Sequence, residues 1–333
     1  MADPDARISD VFDLIVGTGI GGILAAMITA ADGSTGRPLF SAREAVSFLR
    51  SRQRRLFRPA GCSVLRRRRG DGKFSAAGLE GVLREAFRGR SGRLLTLRDS
   101  CCPLLIPCYD LNSSAPFVFS RADAAQSASF DFEMWAVCRA TSATPGLFRP
   151  TKIVSVDGLT ACTAIDGGLA MSNPASAAVT HVLHNKREFP AVHGVEDLLL
   201  LSLGSSPPLR RHVWPATKWS GEAIVDIAME GISETVDQIL SNAFSWNRQD
   251  YVRIQGNGWE TELEREGGAE GLKRAGDRMM KERNVQSLPF GGKRFLTETN
   301  GESMDAFVRR LIGILPSRPS KTDVAVTVLK DSR

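Results

Sequence analysis

Apolar positions in this chain fall either in short unbroken runs or in longer stretches with helical spacing. Phe12-Asp-Leu-Ile-Val16 is a short apolar run that stops at glycines, the pattern of a parallel strand buried on both faces. Ile20 to Ala30 then predicts a helix with small residues facing a sheet. Ala42 to Phe57, with Val46, Phe48, Leu49, Leu56 and Phe57, predicts an amphipathic helix, and Ala76 to Phe87 another. Strands are expected at Leu104–Asp110 and Phe117–Phe119, and a helix at Glu133–Thr141, stopped before Pro145. Lys152–Val156 and Leu159–Ile165 flank Asp157-Gly158, a strong hairpin signal. Ser172–Leu183 predicts a helix, Leu198–Leu203 an apolar strand, Gly221–Phe244 a helix and Tyr251–Gln255 a strand. Residues 260–285 are charged and read as helix, Met304–Ile314 as helix, and Val324–Leu329 as a last strand. No internal repeat is visible. Strands alternating with helices define an α/β class.

The composition is that of a globular protein. The chain has 333 residues, 42% hydrophobic and 24% charged, and is read as a single domain over 1–333. Its six cysteines form no CxxC pair and no cluster with the four histidines. No metal, cofactor or disulfide framework is therefore expected, and a reducing compartment fits. The net charge is +6, unevenly spread. Between Arg43 and Arg98 there are 16 Lys/Arg and 4 Asp/Glu, with Arg66, Arg67, Arg68 and Arg69 in one run. The run reads either as a patch for an anionic membrane surface or as a solvated loop. No aromatic residues interleave with it, so nucleic acid is not an expected partner. Residues Phe12 to Ala31 are mostly apolar, but Asp13 and the crowded glycines at 17–22 argue against a membrane span. The acidic start MADPDARISD argues against a signal peptide. A cytoplasmic location, with peripheral membrane contact, is the expectation.

The glycine turn after Val16 can be framed three ways. Gly17, Gly19 and Gly22 satisfy GxGxxG, but no second strand with an acidic residue follows about 20 positions on, as a dinucleotide site needs. A phosphate-binding P-loop fails because no GK[ST] follows. The third frame is a nucleophile elbow, G-x-S-x-G between strand and helix, whose sharp bend projects the central side chain toward substrate. Here it runs Gly17-Thr18-Gly19-Ile20-Gly21: strand, spacing and helix match, but the nucleophile position holds glycine. Thr18 is adjacent, but neighbouring side chains diverge at such a bend.

Four segments in order carry a resemblance to plant patatin-like lipid acyl hydrolases. They are DARISDVFDLIVGTGIGGILAAM at the elbow, CRATSATPGLFRP (138–150), AIDGGLAMSNPASAA (164–178) and the strand DLLLLSLG (197–204). The match is best over 1–210 and fainter over 256–333. The chain resembles the subgroup with glycine in place of the elbow serine. The resemblance implies a three-layer α/β/α sandwich with a mostly parallel sheet. It also implies a serine–aspartate dyad, in which serine attacks the acyl carbonyl and aspartate accepts its proton. Asp166 stands at the aspartate position, followed by Gly167 and Gly168; the alternative is an aspartate that only holds a turn. Asn173 before Pro174 resembles a family position. His181, His184, His193 and His212 match no catalytic motif.

Two departures bear on activity. Gly19 has no hydroxyl, and loss of a serine nucleophile costs roughly 10⁶-fold. The family's DGGGxRG oxyanion loop is absent from these 333 residues, and loss of one such donor costs roughly 10²–10³-fold. The chain is expected to start past that loop, to lack the family's first strand, and so to leave the strand at 12–16 with an exposed edge. The implied function is a lipid acyl hydrolase of phospholipase A or galactolipase type with impaired Ser–Asp catalysis. The alternative is a non-catalytic binder of membrane lipid or protein. The implied substrates are phospholipids or galactolipids.

Overall fold

The computed structural model describes residues 6–33, 36–60, 72–204, 221–256, 269–288, 292–314 and 324–329. The run Arg66–Arg69, proposed for lipid-surface binding, lies outside them.

The core is an eight-stranded sheet among the described residues. Strand β1 (Leu14–Gly17) lies between β2 (Leu104–Asp110) and β10 (Val324–Leu329), parallel to both. β10 pairs in parallel with β6 (Leu198–Leu203), and β6 with β7 (Tyr251–Ile254). The remaining pairings are antiparallel: β3 (Ala115–Ser120) and β5 (Ala161–Asp166) on β2, and β4 (Thr151–Val154) on β5. The elbow strand therefore has no exposed edge, contrary to expectation. The last strand covers it, with Leu14 opposite Val326 and Gly17 opposite Leu329.

Alternation along β1 explains the layers. Ile15 joins one apolar cluster, with Ile23 of α1 (Gly19–Met27), Leu83 of α3 (Ala76–Ala86) and Val137 of α4 (Met134–Thr141). Leu14 and Val16 join another on the opposite face, with Ala175 and Val182 of α6 (Ala175–His184) and Leu240 of α7 (Gly221–Ala243). Period-two side chains on a strand wholly out of solvent require helices on both faces, giving the three-layer α/β/α fold. A third cluster packs Phe307 and Leu311 of α9 (Asn300–Ile314) on Leu199, Leu201 and Ile254.

Some boundaries differ from the sequence reading. The amphipathic stretch at 42–57 breaks at Arg52 into α2 (Ala42–Ser51) and a turn at Gln53–Leu56. Of the helix expected over 260–285, residues 260–268 lie outside the described residues, and the remainder is helix only as far as Lys281. After α8 (Ala269–Lys281) the chain enters a two-stranded hairpin, β8 (Arg283–Leu288) and β9 (Gly292–Thr299). Its polar sequence RNVQSL hid the strand. The helix expected from Ser172 starts at Ala175, after a separate turn α5 (Gly168–Met171), because Pro174 and Asn173 occupy its entrance: Asn173 Oδ1 accepts from Ala175 N–H at 3.3 Å. The hairpin at Asp157-Gly158 forms, but Ser155 N–H on the Thr160 carbonyl (2.9 Å) closes a four-residue loop rather than a two-residue one. Asp157 Oδ1 holds Leu159 N–H at 3.0 Å and widens the turn.

Candidate functional site

The geometry at Gly19 is that of a nucleophile elbow. β1 ends at Gly17, Thr18 is extended (φ −119°, ψ 150°), and Gly19 takes φ 55° at the start of α1. That is the left-handed region, where side-chain-bearing residues are uncommon and strained. The bend folds the chain back on itself so tightly that a Cβ on Gly17 would lie 2.3 Å from the Gly21 carbonyl oxygen.

Hydrogen-bond parity shows how the strand end that carries Asp166 comes near this bend. Ile15 N–H donates to the Pro103 carbonyl, and Leu111 N–H to the Thr163 carbonyl. Both partners on the 103–111 segment are odd-numbered. Alternate residues of a strand aim their backbone groups at the same edge, so β1 and β5 share one edge of β2 while β3 takes the other. β1 occupies the lower part of that edge, pairing with Leu104 and Leu105, and β5 the upper, with Cys108 opposite Asp166. The carboxyl ends of β1 and β5 therefore approach each other at Pro107, where proline presents no N–H that would need a partner in the gap.

The segment 139–144 closes the gap from α4. Thr141 Oγ1 accepts from Gly19 N–H (3.1 Å) and donates to the Pro107 carbonyl (2.7 Å). Three residues on, Thr144 Oγ1 donates to Asp166 Oδ2 (2.6 Å), and the Ala143 carbonyl accepts from Asp166 N–H (3.2 Å). Gly168 N–H donates to Asp166 Oδ1 (2.8 Å). Asp166 is 0% exposed, so both carboxylate oxygens depend on such donors. Gly167 packs on the same Pro107 carbonyl, which a Cβ there would meet at 2.2 Å. Met229 of α7 lies over the turn, its Cε 3.1 Å from where a Gly168 Cβ would be.

The structure thus links Gly19 to the Pro107 carbonyl through Thr141 and sets Gly167 against the same carbonyl, while Asp166 is held by Thr144 of the same segment and by Gly168. Thr141, Thr144, Pro107 and Met229 complete the arrangement, and sequence reasoning gave none of them a role. The threonines sat inside the quoted 138–150 segment; their three-residue spacing was the available signal. Among the described residues, five buried polar atoms in these segments have no hydrogen-bond partner: Thr18 Oγ1, Arg139 Nη1, Ser142 Oγ, Ser172 Oγ and Asn173 Nδ2. Arg139 is buried beneath, its guanidinium donating to the Arg149 carbonyl (2.8 Å) and Glu80 (3.4 Å). Desolvation lowers its pKa, opposed by the Glu80 charge.

Residues 5–179 match the family described as Patatin-like phospholipase. The chain belongs to that family. A protein of Arabidopsis thaliana named "Probable inactive patatin-like protein 9" is 54% identical over 99% of this chain and 84% of its own length. "Patatin-like protein 6" of Arabidopsis thaliana is 44% identical over 93% of this chain, which spans 65% of that relative. "Patatin-like protein 3" of Oryza sativa subsp. japonica is 43% identical over 92% of this chain and 71% of its own length.

Two further features of this patatin-like protein lie apart from the elbow. A cavity of about 330 Å³ is lined by Asp237, Arg248, Tyr251, Arg253 and Asn284, among others, and by none of the motif residues. Among the described residues, no helix is long and apolar enough to cross a membrane.

Proposed function

We propose that this protein engages polar lipids at the patatin site but turns them over poorly, because the elbow offers no attacking hydroxyl. In Ser–Asp hydrolysis the serine oxygen bonds to the acyl carbon, its proton passes by way of the aspartate to the departing lipid alcohol, and water then cleaves the acyl-serine, releasing the fatty acid and restoring the serine. Asp166 is the residue we assign as proton acceptor. The observation that carries the reading is the pairing of a retained elbow, Gly19 at φ 55°, with an Asp166 whose Oδ2 is engaged by Thr144. The bend that would aim a nucleophile is kept, the nucleophile is not, and a threonine hydroxyl stands on the carboxylate. The relative named as inactive fits the same reading.

The experiment measures both binding and release of fatty acid, using a short-chain phosphatidylcholine and a short-chain monogalactolipid below their micelle-forming concentrations. The wild type is expected to bind saturably and to hydrolyse no faster than Asp166→Ala. Gly19→Ser is expected to gain hydrolysis that Asp166→Ala removes. Wild-type turnover abolished by Asp166→Ala would overturn the catalytic half of the reading, and absence of saturable binding the lipid half.

A further inference from the structure

The β4–β5 turn and its neighbour carry large apolar side chains that are half or more exposed, or nearly so. Leu159 is 80% exposed, Val156 58%, and Val154 and Phe130 45% each. Phe130 comes from a neighbouring turn tied to the hairpin: Val156 N–H donates to the Asp131 carbonyl (2.8 Å) and Ser129 Oγ to Asp157 Oδ2 (2.6 Å). Scattered exposed apolar residues are ordinary; three on one hairpin, with Phe130 on the turn tied to it, mark an interaction surface.

The register gives the turn its direction. Asp166 lies opposite Cys108, and Ala164 opposite Asp110, the last residue of β2. β5 followed backwards therefore runs past the carboxyl end of β2. Leu159 is seven residues before Asp166, so at ~3.3 Å per residue the turn stands roughly 20 Å beyond the carboxylate. It projects from the same sheet end as the elbow.

We propose that this turn docks the protein on a phospholipid bilayer, with Val154, Val156, Leu159 and Phe130 entering the headgroup region. The inference rests on the reading that polar lipid is what the site engages. Charge and the size of the patch favour a bilayer over a protein partner. Lys152 is exposed on the same outward face of β4 as Val154, and Arg149 is exposed just before the strand, so cations stand behind an apolar tip as at an anionic interface. Asp157, at the tip, turns its carboxylate onto Ser129, Ser155 and the Leu159 N–H. Four side chains so exposed present on the order of a few hundred Å², well short of the ~800 Å² per partner of a standard protein interface.

The test is flotation of the full chain with vesicles of phosphatidylcholine, with and without phosphatidylserine. Val156→Asp/Leu159→Asp is expected to weaken vesicle binding roughly tenfold or more. Lys152→Glu should weaken it only when phosphatidylserine is present. Ile239→Asp, at an exposed apolar site on α7 (59% exposed), should leave it unchanged. Equal binding by all variants overturns the proposal. So does a concentration-dependent dimer that the Val156/Leu159 variant abolishes, which would make the turn a contact between copies. Short-chain phosphatidylcholine, monomeric in solution, reads the site without the turn. If the wild type binds it but no vesicle, the docking inference falls and the lipid reading stands. Thermal melting of each variant confirms folding.

Discussion

Replacing Gly19 by alanine tests the elbow through stability alone. At an ordinary negative φ, Gly→Ala stabilises a protein by about 0.4–1 kcal/mol, because it restricts the unfolded chain. Gly19 sits at φ 55°, where a Cβ crowds the backbone and costs about 1–2 kcal/mol. The sign of the effect therefore reports the bend. For a chain of 333 residues, unfolding entropy near 0.7 kcal/mol/K converts that cost into a midpoint drop of about 1.5–3 °C. Differential scanning fluorimetry and urea titration of wild type, Gly19→Ala and Gly19→Ser should show two similar losses, since the strain belongs to the Cβ and not the hydroxyl. Gly17→Ala should be far worse: its Cβ would meet the Gly21 carbonyl oxygen at 2.3 Å, and backbone cannot step aside as a side chain can. A Gly19→Ala variant as stable as wild type, or more so, would refute the strained elbow.

Thr141→Val removes the hydroxyl that serves both Gly19 N–H and the Pro107 carbonyl. Two buried backbone groups lose a partner at about 1–3 kcal/mol each, so urea denaturation should show a loss of several kcal/mol, with Thr141→Ser much milder. Val326→Asp places a carboxylate at the centre of the sheet between Leu14 and Leu200 and should abolish soluble expression, checked by fractionation and circular dichroism. Asp110 tests acid stability. Burial pushes its carboxyl upward, but hydrogen bonds from Ser113 Oγ and the N–H groups of Asn112, Thr163 and Ser113 outweigh this and bring the pKa down to about 2. A depressed folded pKa adds stability above the unfolded value near 3.9, lost as pH falls through about 2. Asp110→Asn should flatten the stability profile between about pH 4 and 2, read by urea midpoints.

Much of this protein was written into its linear sequence. The apolar run Leu14–Val16 announced a strand buried on both faces, because an unbroken run leaves no polar side for solvent. The glycines at 17–22 and Asp166-Gly167-Gly168 announced two tight turns, because only certain residues tolerate such backbones. Local pattern could not say what stood beside β1. The neighbour is β10, more than three hundred residues away, and strand pairing at that separation depends on the whole packed sheet. Nor could it foresee β8, whose polar residues mask its period, or the break at Arg52. The tertiary structure alone decided that β1 and β5 share one edge of β2. That sharing turns two distant motifs toward Pro107 and lets two threonines of one segment join them. A motif carries its own backbone geometry in its residue types; the distance between two motifs is set by the strand between them.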